Sequence, residues 1–241
     1  MSIAKEVEKF VERYPAGQIF DYQAVPAYAE SSSAVIKAFS RLVAERKLER
    51  FSKGKFYVPK KGILGKAKPT DNDLIKSVLY KSGKRKGYIT GLALYNQLGL
   101  TTQMPSTITI AYAGGKQIRD FGTIRIKTIP TRAPISEKNV LYLQYLDVLK
   151  DIKKVSDSDL DTSLMIMKKK LNSLKRTEKK KLIEFAEDYY NPQVWALIGL
   201  LLEGVAKKWK QELKSYLNPT TTYKLHLDEN KWPDAKDWNI Y

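Results

Sequence analysis

The spacing of apolar residues changes twice within the first sixty positions, and no other feature constrains the chain as much. Ile3, Val7, Phe10, Val11 and Tyr14 recur at the intervals of one helix face behind Ser2 as an N-cap, and Pro15-Ala16-Gly17 ends that helix. Ile19, Phe20 and Tyr22 lead into a short element over 21–28 that Pro26 interrupts. Ser31, Ser32 and Ser33 then offer an N-cap for a helix running to about Lys47, whose apolar face is Val35, Ala38, Phe39, Leu42 and Val43. From Leu48 the period shortens. Leu48–Phe51 and Phe56–Val58 bracket Ser52-Lys53-Gly54-Lys55, which reads as a β-hairpin with a glycine in its tip.

Helix, short helix, helix, hairpin is the order of a winged helix-turn-helix, and the charge indicates what such a unit would bind. Forty-three Lys and Arg against 26 Asp and Glu give +17, a charge that favours an anionic polymer or an anionic membrane surface. Residues 1–68 carry 14 basic and 7 acidic side chains, residues 69–135 carry 10 and 3, and residues 136–241 carry 19 and 16, so the excess lies in the first 135. The third helix of a winged helix-turn-helix enters the major groove, so its exposed face must be polar and partly basic. Ser33, Lys37, Ser40 and Arg41 fall on one side of the helical wheel, opposite Phe39 and Val43, with Ser32 at the helix start. Lys53 and Lys55 flank the wing glycine, where ammonium groups meet phosphates without reading sequence. These seven are the expected DNA-binding residues. An ordinary solvated helix face with a basic turn would use the same residue types; the order of the elements, with the charge of the first 68 positions, favours double-stranded DNA. About four to six phosphate contacts per monomer imply a log–log salt slope of about −4 to −5, which is weak alone and favours a homodimer on an inverted-repeat operator.

Beyond the hairpin, Lys60–Pro69 is rich in Gly, Pro and Lys without periodicity and reads as a linker. A helix is expected over Asn72–Tyr80, then a loop, Ser82–Gly87. Its Lys84, Arg85 and Lys86 either add nucleic-acid contacts or are plainly solvated. Leu92, Tyr95 and Leu98 with Gly99 behind them suggest a short helix that Thr90 caps and that Gly91 lets approach a neighbour closely. Thr107–Tyr112 alternates as a strand, Gly114-Gly115 turns it, and Thr123–Ile129 alternates as its return. From Ser136 helices are expected near 137–153, 158–174, 177–189 and 191–217, the last with Val194, Leu197, Ile198, Leu201, Val205 and Trp209 on one face. The expected fold class is therefore α+β: a winged helix-turn-helix over 1–61, a small α+β domain over 69–135 and a helical C-terminal region over 136–241.

Composition removes several chemistries. With no cysteine there are no disulfides, thiolate metal sites or cysteine nucleophiles, and the single His226 leaves no histidine-rich zinc site within one chain. Gly65-Lys66 and Gly83-Lys84 lack the spacing of a phosphate-cradling loop. Alternating aspartates at Asp157, Asp159 and Asp161 would suit Mg²⁺ on a strand, but they open a helix instead, where acidic residues favour the N-terminal dipole. No catalytic residue, metal or cofactor is expected, and the protein is read as not an enzyme. The runs Lys168–Lys170 and Lys179–Lys181 form either a second basic stripe or solvated faces. The longest apolar run, Val194–Leu202, is about half a membrane span, and the N-terminus lacks a signal-type apolar region, so a cytoplasmic protein without membrane contact is expected.

Ser52–Lys60, and above all Gly87-Tyr88-Ile89-Thr90-Gly91-Leu92-Ala93-Leu94-Tyr95-Asn96-Gln97-Leu98-Gly99-Leu100-Thr101 followed by Pro105-Ser106-Thr107-Ile108-Thr109-Ile110, resemble the AbiEi family of antitoxins from bacterial type IV toxin–antitoxin systems. The resemblance covers about residues 1–135. It implies an N-terminal winged helix-turn-helix that represses its own operon. It also implies a following domain that counteracts a co-encoded nucleotidyltransferase-like toxin without a stable complex. The helical region from Ser136 departs from that pattern. Two other readings stand beside it: a ligand-responsive transcription factor without a toxin partner, and an enzyme acting on nucleic acid.

Overall fold

The structure, a computed structural model, describes residues 2–62, 65–81 and 83–241. The fold is α+β, and its contacts divide it into two units: the chain up to Lys86 with Asp120–Ile124, and Gly87–Arg119 with Arg125–Tyr241.

In the first unit α1 (Ile3–Arg13) is followed by β1 (Ile19–Asp21), two 3-10 turns at Tyr22–Ala24 and Pro26–Tyr28, α2 (Ser32–Ala44), β2 (Glu49–Ser52) and β3 (Lys55–Tyr57). The strands form an antiparallel sheet in the order β1-β3-β2. Ser31 caps α2 by accepting from the Ala34 N–H at 3.4 Å, whereas Ser2 stands at the start of α1 without a side-chain cap bond. α2 stops three residues short of Lys47. Arg46 takes a left-handed φ of 55°, and the Lys47 and Leu48 N–H groups bond back to the Leu42 carbonyl at 2.9 and 3.1 Å, which turns Leu48 into the core. Phe39, fully buried on α2, anchors that core, with the rings of Phe20, Tyr22 and Phe56 at 5.9, 4.9 and 5.0 Å and Val7 and Val11 of α1 in the same cluster.

The expected linker is not featureless. β4 (Lys60–Gly62) and β5 (Gly65–Ala67) pair antiparallel across 60–67; residues 63–64 of the expected linker lie outside the described residues. Lysines and glycines give such a pair no apolar alternation by which a sequence would betray it. α3 (Asp71–Leu79) opens on a capping box in which Thr70 and Asp73 bond reciprocally. The Lys60 ammonium lies 2.7 Å from Asp73 Oδ2. Burial pushes the Asp73 carboxyl up, but the Lys60 ammonium and the Thr70 N–H and hydroxyl outweigh it and hold the group below the usual carboxylate range. Ile19, Tyr57 and Leu74 form a small core with Phe51, Phe121 and Ile124, so α3 and 120–124 group with the N-terminal elements rather than with a middle domain spanning 69–135. Within the loop expected over Ser82–Gly87, β7 (Lys84–Arg85) pairs antiparallel with β6 (Tyr80–Lys81), which takes in the last residue of the helix expected over Asn72–Tyr80; Ser82 itself lies outside the described residues.

The second unit opens on β8 (Gly87–Thr90), followed by α4 (Leu92–Gln97), the short helix expected there. Thr90 does not cap α4. The N-cap is Gly91, at φ +65° and ψ −149°, backbone that only glycine adopts readily, and the space above it is ordinary van der Waals distance from Thr109. Conformation, not close approach, requires this glycine. β9 (Thr107–Tyr112), β10 (Gln117–Asp120) and β11 (Arg125–Pro130) complete a sheet in the order β10-β11-β9-β8. β11 runs parallel to β9, pairing Arg125 with Thr107 through Pro130 with Tyr112, so it is not the hairpin return expected after Gly114-Gly115. β10 takes up the intervening chain, which lets β11 re-enter in the same direction.

Then come α5 (Val140–Lys150), α6 (Leu160–Asn172), α7 (Arg176–Tyr189), α8 (Pro192–Leu201) and α9 (Lys207–Ser215), packed on one large apolar core with Trp232 and Trp238 of the C-terminal segment. The single helix expected over 191–217 is two. Asn172 explains the break: its amide donates to the Leu201 carbonyl at 2.9 Å and its oxygen accepts from the Glu203 N–H at 2.8 Å, satisfying groups that a continuing helix would have bonded itself. Lys179 is buried and donates to the Glu203 carbonyl at 2.8 Å, so Lys179–Lys181 is not a continuous exposed run. No helix among the described residues is long and apolar enough to cross a membrane.

Candidate nucleic-acid interface

Seating Phe39 and Val35 in the core of the first unit turns the opposite side of α2 to solvent. Ser32, Ser33, Lys37, Ser40 and Arg41 are all exposed there. The Ser33 hydroxyl lies 3.4 Å from that of the capping Ser31. Ser40 is committed locally, donating its hydroxyl to the Ile36 carbonyl at 3.0 Å. Arg41 Nε is 3.5 Å from Glu45 Oε1 in an exposed i,i+4 pair, which costs little to open. Lys37 has no hydrogen bond or ion pair among the described residues. Glu45 also neutralises Lys47, which donates to Glu8 of α1 at 2.7 Å and thereby ties α1 to the end of α2; that hydrogen bond, then the charge of Lys47, lowers the Glu8 pKa. The basic charge left to the face is that of Lys37 and Arg41.

The hairpin tip separates the two lysines assigned to it. Lys53 is exposed beside Gly54, around which a side chain would meet nothing within 4 Å. Lys55 lies in β3, paired with Asp21 of β1, and its ammonium sits 5.9 Å from the Phe121 ring centroid. Lys53 is presented as a free tip charge and Lys55 is held. The second basic segment divides in the same way. Lys84 is exposed, directly across its hairpin from exposed Lys81. Arg85 donates to the Tyr80 hydroxyl at 2.8 Å with its guanidinium 5.0 Å from that ring, and Lys86 is half-buried.

One residue of the exposed face escaped the sequence reading. Ile36 is 40 % exposed, the only exposed large apolar side chain among the described residues of the first unit, and it borders Ser33 and Ser40 on the helix surface. Its signal was available, since it stands three positions after Ser33 and four before Ser40.

In the second unit a buried polar cluster forms around the segment that carries the antitoxin resemblance. Asp147 of α5 accepts from the Thr90 hydroxyl at 2.8 Å through one oxygen and from the Tyr190 hydroxyl at 2.8 Å through the other. Burial raises its pKa, and these hydrogen bonds oppose the rise. The Tyr88 hydroxyl, buried beside them, has no well-formed hydrogen bond among the described residues, and burial followed by the Asp147 charge raises its pKa. Tyr88 and Thr90 therefore point inward, and nothing in this cluster is presented to a partner. The other sequence candidates are equally local. Asp159 caps α6 by accepting from the Thr162 N–H at 3.1 Å, and Asp161 accepts from Trp232 Nε1 at 2.9 Å. His226 is exposed at φ 53° and its N–H donates to the Tyr241 carbonyl at 2.8 Å. Among the described residues no group of three or more His, Cys, Asp or Glu side chains is placed to hold a metal ion.

The fold and the site define a class: an α+β protein of two units whose first unit exposes a polar, basic helix face and a basic hairpin tip. Residues 6–171 match the model of a family described as "Family of unknown function (DUF6088)", and the chain belongs to that family. Two chains among the solved structures match. One is described as the crystal structure of RV2827C protein from Mycobacterium tuberculosis, at 11 % identity and a TM-score of 0.48, over 91 % of this chain and 83 % of that one. No curated protein matches.

Proposed function

We propose that this chain is a DNA-binding transcriptional regulator that acts through a winged helix-turn-helix in residues 1–61. The observation that carries the reading is the solvent-facing side of α2, with Ser32, Ser33, Lys37, Ser40 and Arg41 exposed together behind a capped helix start. The order of elements in the first unit agrees with it: helix, strand, two short turns in place of a second helix, the capped helix, then a hairpin whose second strand pairs with β1. The N-terminal half of α2 would enter the major groove, and Lys53 at the wing tip would contact phosphate.

The role in the cell comes from the sequence resemblance to AbiEi antitoxins over residues 1–135: repression of its own operon in the cytoplasm and opposition to a co-encoded nucleotidyltransferase-like toxin, with no stable complex between the two. The buried setting of Tyr88 and Thr90 is consistent with a segment that shapes a domain rather than grips a partner.

Titrating the full-length chain against duplex from upstream of its own gene, beside a shuffled duplex of equal length, tests the first part. Selective binding that weakens steeply with salt is expected, and equal affinity for both duplexes would overturn it. Co-expression with the adjacent gene tests the second: the chain should restore growth that the neighbour alone arrests, and persistent arrest would remove the antitoxin role.

A further inference from the structure

The geometry points to Ile36 as a reader of thymine, through contact of its side chain with the 5-methyl group in the major groove. This rests on the DNA-binding reading above and names part of what that site recognises. Within the first unit Ile36 is the only large apolar side chain that the described residues leave exposed, and it lies on the helix that carries Ser33, Lys37 and Arg41 rather than elsewhere on the surface. It sits five residues from the capping Ser31, in the half of the helix from which side chains reach base edges. The neighbouring Ser40 donates its hydroxyl to the Ile36 carbonyl and keeps only acceptor capacity, so on that flank of α2 the apolar side chain is the group suited to a methyl. The major-groove edges of the four base pairs present hydrogen-bonding groups, and thymine adds the one apolar group. A β-branched side chain suits the task because in a helix its χ1 is nearly fixed, so little rotamer freedom is lost on contact.

The test begins by selecting preferred duplexes for the full-length chain from a random pool. Each thymine of the selected site is then replaced in turn by deoxyuridine, which removes the methyl group and nothing else. One thymine per half-site should become costly, lowering affinity about three- to fivefold, the worth of one buried methyl group. Ile36→Ala should bind the same site with the same salt slope yet become indifferent to that replacement. Because Ile36 is exposed and alanine favours helix, the variant is expected to fold, and far-ultraviolet circular dichroism checks that it has. A selected site in which no thymine-to-deoxyuridine change alters affinity overturns the inference while leaving DNA binding intact. So does an Ile36→Ala variant as sensitive to the change as the parent. If no sequence is enriched at all, the DNA-binding reading falls and the thymine contact falls with it.

Discussion

Thr90 donates its hydroxyl to the Asp147 carboxylate at 2.8 Å, joining β8 to α5 across 57 positions of sequence. With Tyr190 donating to the second oxygen, a buried carboxylate is held by two neutral hydroxyls, and burial raises its pKa. A carboxyl whose folded pKa lies above its unfolded value stabilises the fold fully below the unfolded value and loses that contribution as pH rises through the folded one. Asp147→Asn has no such group to titrate. Measured by urea unfolding from about pH 4 to about pH 8, the stability of the variant relative to the parent should therefore improve with rising pH. Parallel curves would show that Asp147 does not titrate with a raised pKa. Thr90→Val, which leaves one carboxylate oxygen without its donor, should cost about 1–3 kcal/mol at neutral pH.

That pair also shows where sequence stops speaking. α1, α2 and the β2–β3 hairpin were legible because each buries one face, so the period of Val7, Val11, Val35 and Phe39 states the element and its orientation together. Gly87–Thr90 is buried at three of its four positions, which erases the alternation of a strand, and its partners on β9 and α5 lie far along the chain. Burial alternates along β11, whereas β9 buries the adjacent Ile110 and Ala111; neither pattern says anything of direction, and the parallel pairing depends on β10 intervening. The break after α8 is written in Asn172, about thirty residues earlier. At the candidate interface the serines, Lys37 and Arg41 were read from the wheel, whereas the holding of Lys55 required knowing that Phe121 returns to β3.

Lys37 and Arg41 are the exposed basic side chains of α2, Arg41 in an exposed pair with Glu45. Alanine at either position should weaken binding to a selected operator by about 1–3 kcal/mol while changing affinity for unrelated duplex much less. Opening the Arg41–Glu45 pair adds little to this, because both partners are exposed. Mobility shifts on matched and shuffled duplexes provide the check. Parent-like affinity for the operator in both variants would take α2 out of the groove.

The two hairpin lysines should behave differently. Lys53→Ala should lower affinity for all duplexes alike and reduce the log–log salt slope by about one, as expected for the loss of a single phosphate contact. Lys55→Ala should change the slope less, because its ammonium already lies against Phe121. Fluorescence anisotropy titrations across a salt series separate the two. Equal slope changes would mean that Lys55 leaves the ring to reach the backbone, and no change in either would remove the hairpin from the interface.

Gly199 tests the core of the second unit. It is buried in α8, and any side chain there would overlap the Trp238 ring. Trp238 is itself buried in the 3-10 turn Ala235–Trp238, so the ring has little room to withdraw. Gly→Ala in an exposed helix is stabilising by up to about 1 kcal/mol, but overpacking a filled core costs about 1–3 kcal/mol, and here the second effect should win. Gly199→Ala should therefore unfold at lower denaturant with an altered tryptophan emission. Combining it with Trp238→Leu should give a double variant less destabilised than the sum of the two single changes, because removing the ring removes the overlap that makes the alanine costly. Strict additivity would mean that the helix face at Gly199 and the ring at Trp238 do not meet in solution.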